Sequence, residues 1–313
     1  MVSAAFFRIV TCFASAALTS ASASPRQPVL TPRGYRDTAD VHLVPHGGRI
    51  SHVGKEIHVA HANGTIIEIV PAPTSPTTSA ASRGPAGSVP LETGWLSDAY
   101  WINPNPAGAL PIKWFSTDFV VPPPPVMVSE QTLFLFPGLL PLDGSSILQP
   151  VLQYGVSAVG GSTFWGVALW YVIGDQTIFV TPLRSVSSGT NLQGILSLLN
   201  FTTSTGAPTY TYWTTMLPGA NSPAGLTIDV PFEFTWSTVT LEAYNVISLE
   251  SYPPGSTTFR NISLQMEDGS VPKPPQQTWS VQNDWMDGFQ TTVEVDSFSE
   301  GAVVIDYPIS ESS

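Results

Sequence analysis

The chain has 313 residues, of which 42% are hydrophobic and only 11% are charged, and its formal net charge is −12 at pH 7. This length allows a large hydrophobic core, and the acidic balance argues against binding to nucleic acid or to anionic membranes. The single cysteine, Cys12, lies near the amino terminus, so the remainder of the chain has no disulfide, thiol nucleophile or cysteine metal site.

Residues 1–23 have the pattern of a secretory signal peptide. Arg8 is followed by a short apolar stretch and then by the small residues Ala21-Ser22-Ala23, so we expect cleavage near Ala23 and an extracellular protein. Three sequons are then predicted glycosylation sites, at Asn63, Asn200 and Asn261.

Residues 24–70 form a basic extension that holds all five histidines, and residues 71–90 form a linker rich in Pro, Ser and Thr. From residue 85 onward there are only four basic residues and no histidine. One interpretation is a pro-segment that docks on the acidic domain through charge; the other is an extension without that role. The scarcity of basic residues fits either adaptation to an acidic medium or simple solubility.

Residues 91–313 are predicted to be a domain of many short strands. The strand-like runs are Trp114–Val121, Gln131–Phe136, Ile147–Gly155, Phe164–Val172, Thr209–Met216, Val239–Ile247, Thr257–Met266, Thr291–Ser297 and Val303–Tyr307. Only Asn191–Leu199 has a weak helical pattern. The expected fold class is therefore all-β, an antiparallel β-sandwich of concanavalin-like or jelly-roll type.

The residue types of this domain limit its chemistry. Without His or Cys it has no Ser-His-Asp triad, no Cys-His pair and no metal site of the His or Cys kind, and no phosphate-binding loop is present. We therefore expect no cofactor and no metal. Carboxylates, amides and aromatic rings remain, and these serve acid–base hydrolysis or the binding of carbohydrate.

Two strands place polar groups on an otherwise apolar face. The period of two puts Gln149 and Gln153 on one face of the strand at 147–155. It also puts Glu242 and Tyr244 on one face of the strand at 239–247. If these faces line one cleft, Glu242 could take a proton from water while the Gln149 amide stabilises an oxyanion. The alternative interpretation is that Gln149 and Glu242 each have a structural role only, with Glu242 facing solvent.

Three segments, "LDGSSILQPVLQYG", "FWGVALWYVIGD" and "TLEAYNV", resemble the fungal glutamic peptidases, or eqolisins. The resemblance implies a secreted acid protease with a concanavalin-like double sheet, a basic pro-segment, and Gln149 and Glu242 as catalytic residues. Leu169 and Val246 stand where the family tends to have acidic residues. The expected substrate-binding residues are Trp95, Asp143, Gly144, Gln153, Trp170 and Tyr244.

Three functions stay open from the sequence. The first is a glutamic endopeptidase with a polypeptide substrate and an amino-terminal segment docked on it. The second is a carbohydrate-binding or carbohydrate-cleaving protein with a glycan partner, and the third is a secreted protein without catalysis. None of them has nucleic acid or a membrane as a partner.

Overall fold

The computed structural model describes residues 28–73, 94–104, 110–203, 208–218, 225–273, 278–283 and 288–308. The predicted signal peptide, residues 1–23, lies outside these ranges, and so does most of the predicted linker.

Nearly all regular structure in the described residues is β. The strands, numbered in chain order, are β1 (Pro28–Thr31), β2 (Gly34–Asp37), β3 (Val41–Leu43), β4 (Arg49–Val53), β5 (Glu56–Ala60), β6 (Ile66–Pro71), β7 (Gly94–Ile102), β8 (Ile112–Val120), β9 (Thr132–Leu140), β10 (Ser146–Tyr154), β11 (Trp165–Ile173), β12 (Thr177–Val180), β13 (Arg184–Val186), β14 (Asn191–Thr202), β15 (Thr209–Pro218), β16 (Leu226–Val230), β17 (Trp236–Tyr244), β18 (Ser256–Met266), β19 (Ser280–Asn283), β20 (Gln290–Val295) and β21 (Gly301–Asp306). Two short 3-10 helices span Thr38–Asp40 and Leu249–Ser251. No helix of the described residues is long and apolar enough to cross a membrane.

The strands form two large sheets and a separate hairpin. One sheet has nine strands in the order β19-β7-β17-β9-β10-β11-β12-β3, with β13 also paired to β11, and the other has ten strands in the order β20-β21-β18-β8-β14-β15-β16-β4-β5-β6. The hairpin consists of β1 and β2. Most pairs are antiparallel, and β3–β12 and β4–β16 are parallel. The prediction of an all-β sandwich is confirmed.

Alternation along each strand divides the apolar residues between two clusters. On β9, Leu133 and Leu135 belong to the main core between the sheets, whereas Phe134 and Phe136 belong to a second cluster on the outer face of the nine-stranded sheet. Leu30 from the hairpin completes that second cluster. An outer face this apolar needs a cover, and the amino-terminal hairpin provides part of it.

Part of the amino-terminal extension is built into the sandwich. β3 extends the nine-stranded sheet, β4–β6 extend the ten-stranded sheet, and Val44, Ile50, Ile57, Val59 and Val70 lie in the main core. Arg49 anchors β4 to β16 through Asp229, with Nε 2.6 Å from Oδ2. The sandwich of the described residues therefore includes strands that precede the expected start at residue 91.

The helix suggested by the weak pattern at Asn191–Leu199 is wrong, because these residues lie in strand β14, which pairs with β8 and β15. Tertiary packing decides the outcome here: a Cβ on Gly194 would lie 2.6 Å from Cγ of Pro137 in the facing sheet. The missing side chain lets the two sheets approach closely at this point. The spacing of the leucines alone resembled a helix because both faces of this strand carry apolar residues.

Candidate functional site

Glu242 and Gln153 lie level with each other on the outer face of the nine-stranded sheet. Both are register partners of Phe134, which separates them on the central strand β9. Direct register partners project from the same face, so the three side chains share it. Two strand spacings put the Cα atoms of Glu242 and Gln153 about 10 Å apart.

Gln149 lies further along the same face. Leu148 and Ser237 are both register partners of Leu139, so Gln149 is level with Thr238, four residues before Glu242. Four residues of strand correspond to about 13 Å. The structure thus brings Gln153, rather than the expected Gln149, alongside Glu242.

The two glutamine amides differ in their hydrogen bonds. The Gln153 Nε2 donates to the carbonyls of Gly155 and Gly160, at 2.8 and 2.9 Å, and its Oε1 accepts from Ser157 Oγ at 2.8 Å. Gln149 is fully buried, and neither amide atom has a partner among the described residues. The amide of Gln153 is therefore held rigidly, whereas that of Gln149 is a buried polar group left unsatisfied.

Glu242 is a fully buried carboxyl whose Oε1 has two donors. The backbone N–H of Arg33 donates to this oxygen at 2.6 Å, and the Tyr244 hydroxyl donates to it as well. Burial raises the pKa of Glu242 to about 7, although Tyr244 and the N–H and charge of Arg33 act in the opposite direction. A carboxyl with a strongly perturbed pKa beside a peptide N–H marks a candidate site for proton transfer.

The group that faces Glu242 is the tip of the hairpin. Thr31 and Gly34 pair across the turn, Pro32 and Arg33 form it, and Arg33 has a φ of 74°, as in the third position of a type II turn. A positive φ at a residue other than glycine is strained, so surrounding contacts must hold this conformation. The Arg33 guanidinium supplies one of them, because Nη1 and Nη2 each lie 3.3 Å from the Gly144 carbonyl.

Further contacts fix the rest of the hairpin across the outer face. Arg36 forms an ion pair with Asp175 at 3.1 Å and donates to the Arg33 carbonyl at 2.7 Å. The Tyr35 hydroxyl is 2.7 Å from Nδ2 of Asn245, and the N–H of Ala158 donates to the Leu30 carbonyl at 2.7 Å. The hairpin therefore lies across the sheet with its tip at Glu242.

A cleft of about 470 Å³ remains beside the hairpin. Residues from the hairpin, from the loop after β10 and from the segment before β9 line it, among them Leu30, Tyr35, Gln131 and Val156. Val156 is also well exposed, at 61% of its surface. The outer face thus continues as an open, partly apolar groove past the end of the hairpin.

The other expected substrate-binding residues surround this face. The Tyr244 hydroxyl donates a hydrogen bond to Glu242, and Trp95 is the register partner of Glu242 on β7. Trp170 is the register partner of Gln149, and its indole N–H has no partner among the described residues. Asp143 is exposed and accepts from the Ser145 N–H, and Gly144 offers its carbonyl to Arg33.

Sequence reasoning missed the hairpin residues Arg33 and Arg36. Two signals in the sequence are relevant to them, the basic character of the extension and the run Thr31-Pro32-Arg33-Gly34, whose composition is typical of a turn. In the described part of the chain, no cluster of three or more His, Cys, Asp or Glu residues could hold a metal ion. Asn63, Asn200 and Asn261 are all exposed, and their glycosylation stays a prediction.

No protein-family model matches the chain, and no curated protein matches it. Among solved structures, it is similar to scytalido-glutamic peptidase with a transition-state analogue inhibitor, with 13% identity and a TM-score of 0.44 over 70% of this chain and 100% of that one. It is also similar to SCP-B of the eqolisin family in complex with the tripeptide Ala-Ile-His, with 14% identity and a TM-score of 0.42 over the same shares. These structural neighbours are peptidases of the family that the sequence motifs resemble.

Proposed function

We propose that the protein is a secreted acid endopeptidase of the glutamic type, with a polypeptide substrate, and that the described conformation is its closed form. The observation that carries the proposal is the hydrogen bond from a peptide N–H of the inserted hairpin to the buried carboxyl of Glu242. The outer face accommodates polypeptide and brings one of its amide groups to a carboxyl able to move protons.

Glu242 is the group for proton transfer. As a carboxylate it would take a proton from water while the water oxygen adds to the substrate carbonyl carbon. As a carboxylic acid it would then return that proton to the leaving nitrogen when the C–N bond breaks. In the closed form, burial raises the pKa of Glu242 to about 7 and keeps it protonated in acid, while the Arg33 N–H occupies one of its oxygens.

Gln153 is the better placed glutamine for stabilising the oxyanion. It is level with Glu242, and its amide is fixed by three hydrogen bonds in the described structure. Both N–H bonds of this amide are donated to the carbonyls of Gly155 and Gly160, so neither is free for the substrate in the described conformation. One of its two N–H bonds must point to the substrate, so the Gly155–Gly160 loop would shift when the hairpin leaves. Gln149, about 13 Å away along the strand, would line the groove instead.

The hairpin, rather than the whole extension, would be the inhibitory element. Residues 28–37 cover Glu242 and lie outside both large sheets, whereas residues 41–71 include strands of those sheets. Cleavage after the hairpin would open the outer face and leave the sandwich intact.

The experiment that tests this function is proteolysis of an acid-denatured protein by the full secreted chain at about pH 3, where most carboxyl groups are neutral. The parent is compared with Glu242→Gln, Gln153→Ala and Gln149→Ala variants, and products are read by mass spectrometry. We expect cleavage by the parent, none by Glu242→Gln, a loss of about 100-fold or more for Gln153→Ala and a smaller loss for Gln149→Ala. Equal cleavage by the parent and Glu242→Gln, or none by the parent after loss of residues 28–37, would refute the proposal.

A further inference from the structure

We propose that the subsite beside Glu242 accepts a basic side chain, so that the enzyme cleaves polypeptides on the amino side of Arg or Lys. This inference rests on the proposed function and adds a substrate class to it. It uses the hairpin as a guide to how a substrate chain occupies the outer face.

The contact between Arg33 and Glu242 indicates where the scissile bond of a substrate would lie. In amide hydrolysis, water oxygen bonds to the carbonyl carbon, the C–N bond breaks, and the nitrogen leaves as an amine after it takes a proton. The acid that supplies this proton must lie within hydrogen-bond distance of that nitrogen. The amide nitrogen of Arg33 is 2.6 Å from Glu242 Oε1, so Arg33 occupies the position of the residue that follows the cleaved bond.

The Arg33 side chain is surrounded by groups that interact with its positive charge. Both terminal nitrogens of its guanidinium face the Gly144 carbonyl, at 3.3 Å each. Glu242 and Asp175 are close enough to favour its charged form, against the burial that lowers its pKa. The Nε atom is buried and has no partner among the described residues, so the hydrogen bonds of the guanidinium in this subsite come from its two terminal nitrogens.

Departure of the hairpin would leave the acceptors of this subsite without their cations. Arg33 and Arg36 both depart, and they are the cations that contact Gly144 and Asp175. The Gly144 carbonyl then faces the space that the Arg33 guanidinium filled, and the Asp175 carboxylate faces the space of the neighbouring Arg36 guanidinium. The Glu242 carboxyl lies close to the first of these spaces. Such a set of acceptors favours a cationic side chain over a neutral one of the same shape.

The turn explains why the hairpin itself is held without being a good substrate. The Pro32 carbonyl is the one that water would attack, and its oxygen lies 3.0 Å from the Thr31 hydroxyl. The same hydroxyl lies 2.8 Å from the Gly34 carbonyl oxygen. Arg33 has a positive φ, so the chain reverses where a substrate would continue in extended form. The hairpin thus places the amide nitrogen of a peptide bond at Glu242, but in a turn and not in an extended strand.

The experiment uses the full chain, activated in acid, on a library of peptides from an unrelated proteome, and the residue on each side of every cleaved bond is read by mass spectrometry. It is followed by kcat/KM for two synthetic peptides that differ only in Arg or its neutral isostere citrulline after the cleaved bond. We expect enrichment of Arg and Lys at that position and a preference of about tenfold for Arg, the effect of one hydrogen bond to a charged group. Asp175→Asn should reduce this ratio, and Glu300→Gln, an exposed carboxyl on another loop, should keep it.

The outcomes separate the two proposals. Cleavage without enrichment of basic residues, or equal kcat/KM for the two peptides, would overturn the basic subsite and leave the peptidase function standing. Enrichment that persists unchanged in Asp175→Asn would also count against the subsite as drawn. Absence of all cleavage would refute the peptidase function and this inference together.

Discussion

Replacing Glu242 by Gln should stabilise the protein at neutral pH and leave its stability in acid almost unchanged. Burial raises the pKa of this carboxyl from 4.5 to about 7, so between these values the folded chain binds more protons than the unfolded chain. Stability from the neutral carboxyl is therefore fully present below about pH 4.5 and is lost as the pH rises through 7. The shift corresponds to about 3 kcal/mol of the free energy of unfolding.

The assay is denaturant unfolding of the parent and the Glu242→Gln variant at pH 4 and pH 8, with the intact amino terminus of both verified by mass spectrometry. The variant should exceed the parent by about 3 kcal/mol at pH 8 and by little at pH 4. A Glu300→Gln variant, which alters an exposed carboxyl, serves as the control and should stay within about 0.5 kcal/mol of the parent at both pH values. A variant that is no more stable than the parent at pH 8, or one stabilised equally at both pH values, would refute the reasoning.

Two further predictions concern the hairpin and the contact between the sheets. Arg36→Gln removes the ion pair with the half-exposed Asp175, at a cost of up to about 1 kcal/mol, so amide exchange in residues 28–37 should become several-fold faster. Gly194→Ala forces a Cβ against Pro137, and we expect a loss of about 1–3 kcal/mol in denaturant unfolding.

Each of these two changes has a matched control. Arg260→Gln removes an exposed arginine that bonds Asn191, and exchange in the hairpin should stay at the parent rate. Gln193→Ala alters an exposed position next to Gly194 on the same strand and should cost less than about 0.5 kcal/mol. Slower or equal exchange in Arg36→Gln, or equal stability of Gly194→Ala and Gln193→Ala, would contradict the packing described above.

Much of the sandwich could be predicted from strand-like runs, because β-branched and aromatic residues between turn signals depend only on local sequence. The run at Ile147–Gly155 corresponds to β10, and Val303–Tyr307 corresponds to β21. The strand β14 was missed because its pattern is set by a facing sheet, where Gly194 meets Pro137. Periodicity within a single segment contains no information about that partner.

The alignment of the strands that position the candidate site could not be predicted from the sequence. The period of two placed Gln149 with Gln153 on one face of β10, and Glu242 with Tyr244 on one face of β17, but it did not determine whether the two faces lie on the same side of the sheet. Which glutamine lies level with Glu242 depends on how β10 and β17 align across β9, and that alignment favours Gln153 over Gln149. The hairpin tip at Arg33 was equally out of reach, because its contacts join residues far apart in the chain.

The two parallel pairs have a consequence for the order in which the chain folds. Val41 of β3 pairs with Ile178 of β12, and Arg49 of β4 pairs with Thr227 of β16. The partner strands of β3 and β4 are therefore synthesised much later than β3 and β4 themselves. Contacts of such large sequence separation form slowly. We therefore expect β3 and β4 to be among the last strands to pair with the large sheets. Until they do, Ile50, Ile57 and Val59, which belong to the main core of the folded protein, would stay unburied. A nascent chain of this protein would offer those apolar strands to chaperones through most of its synthesis.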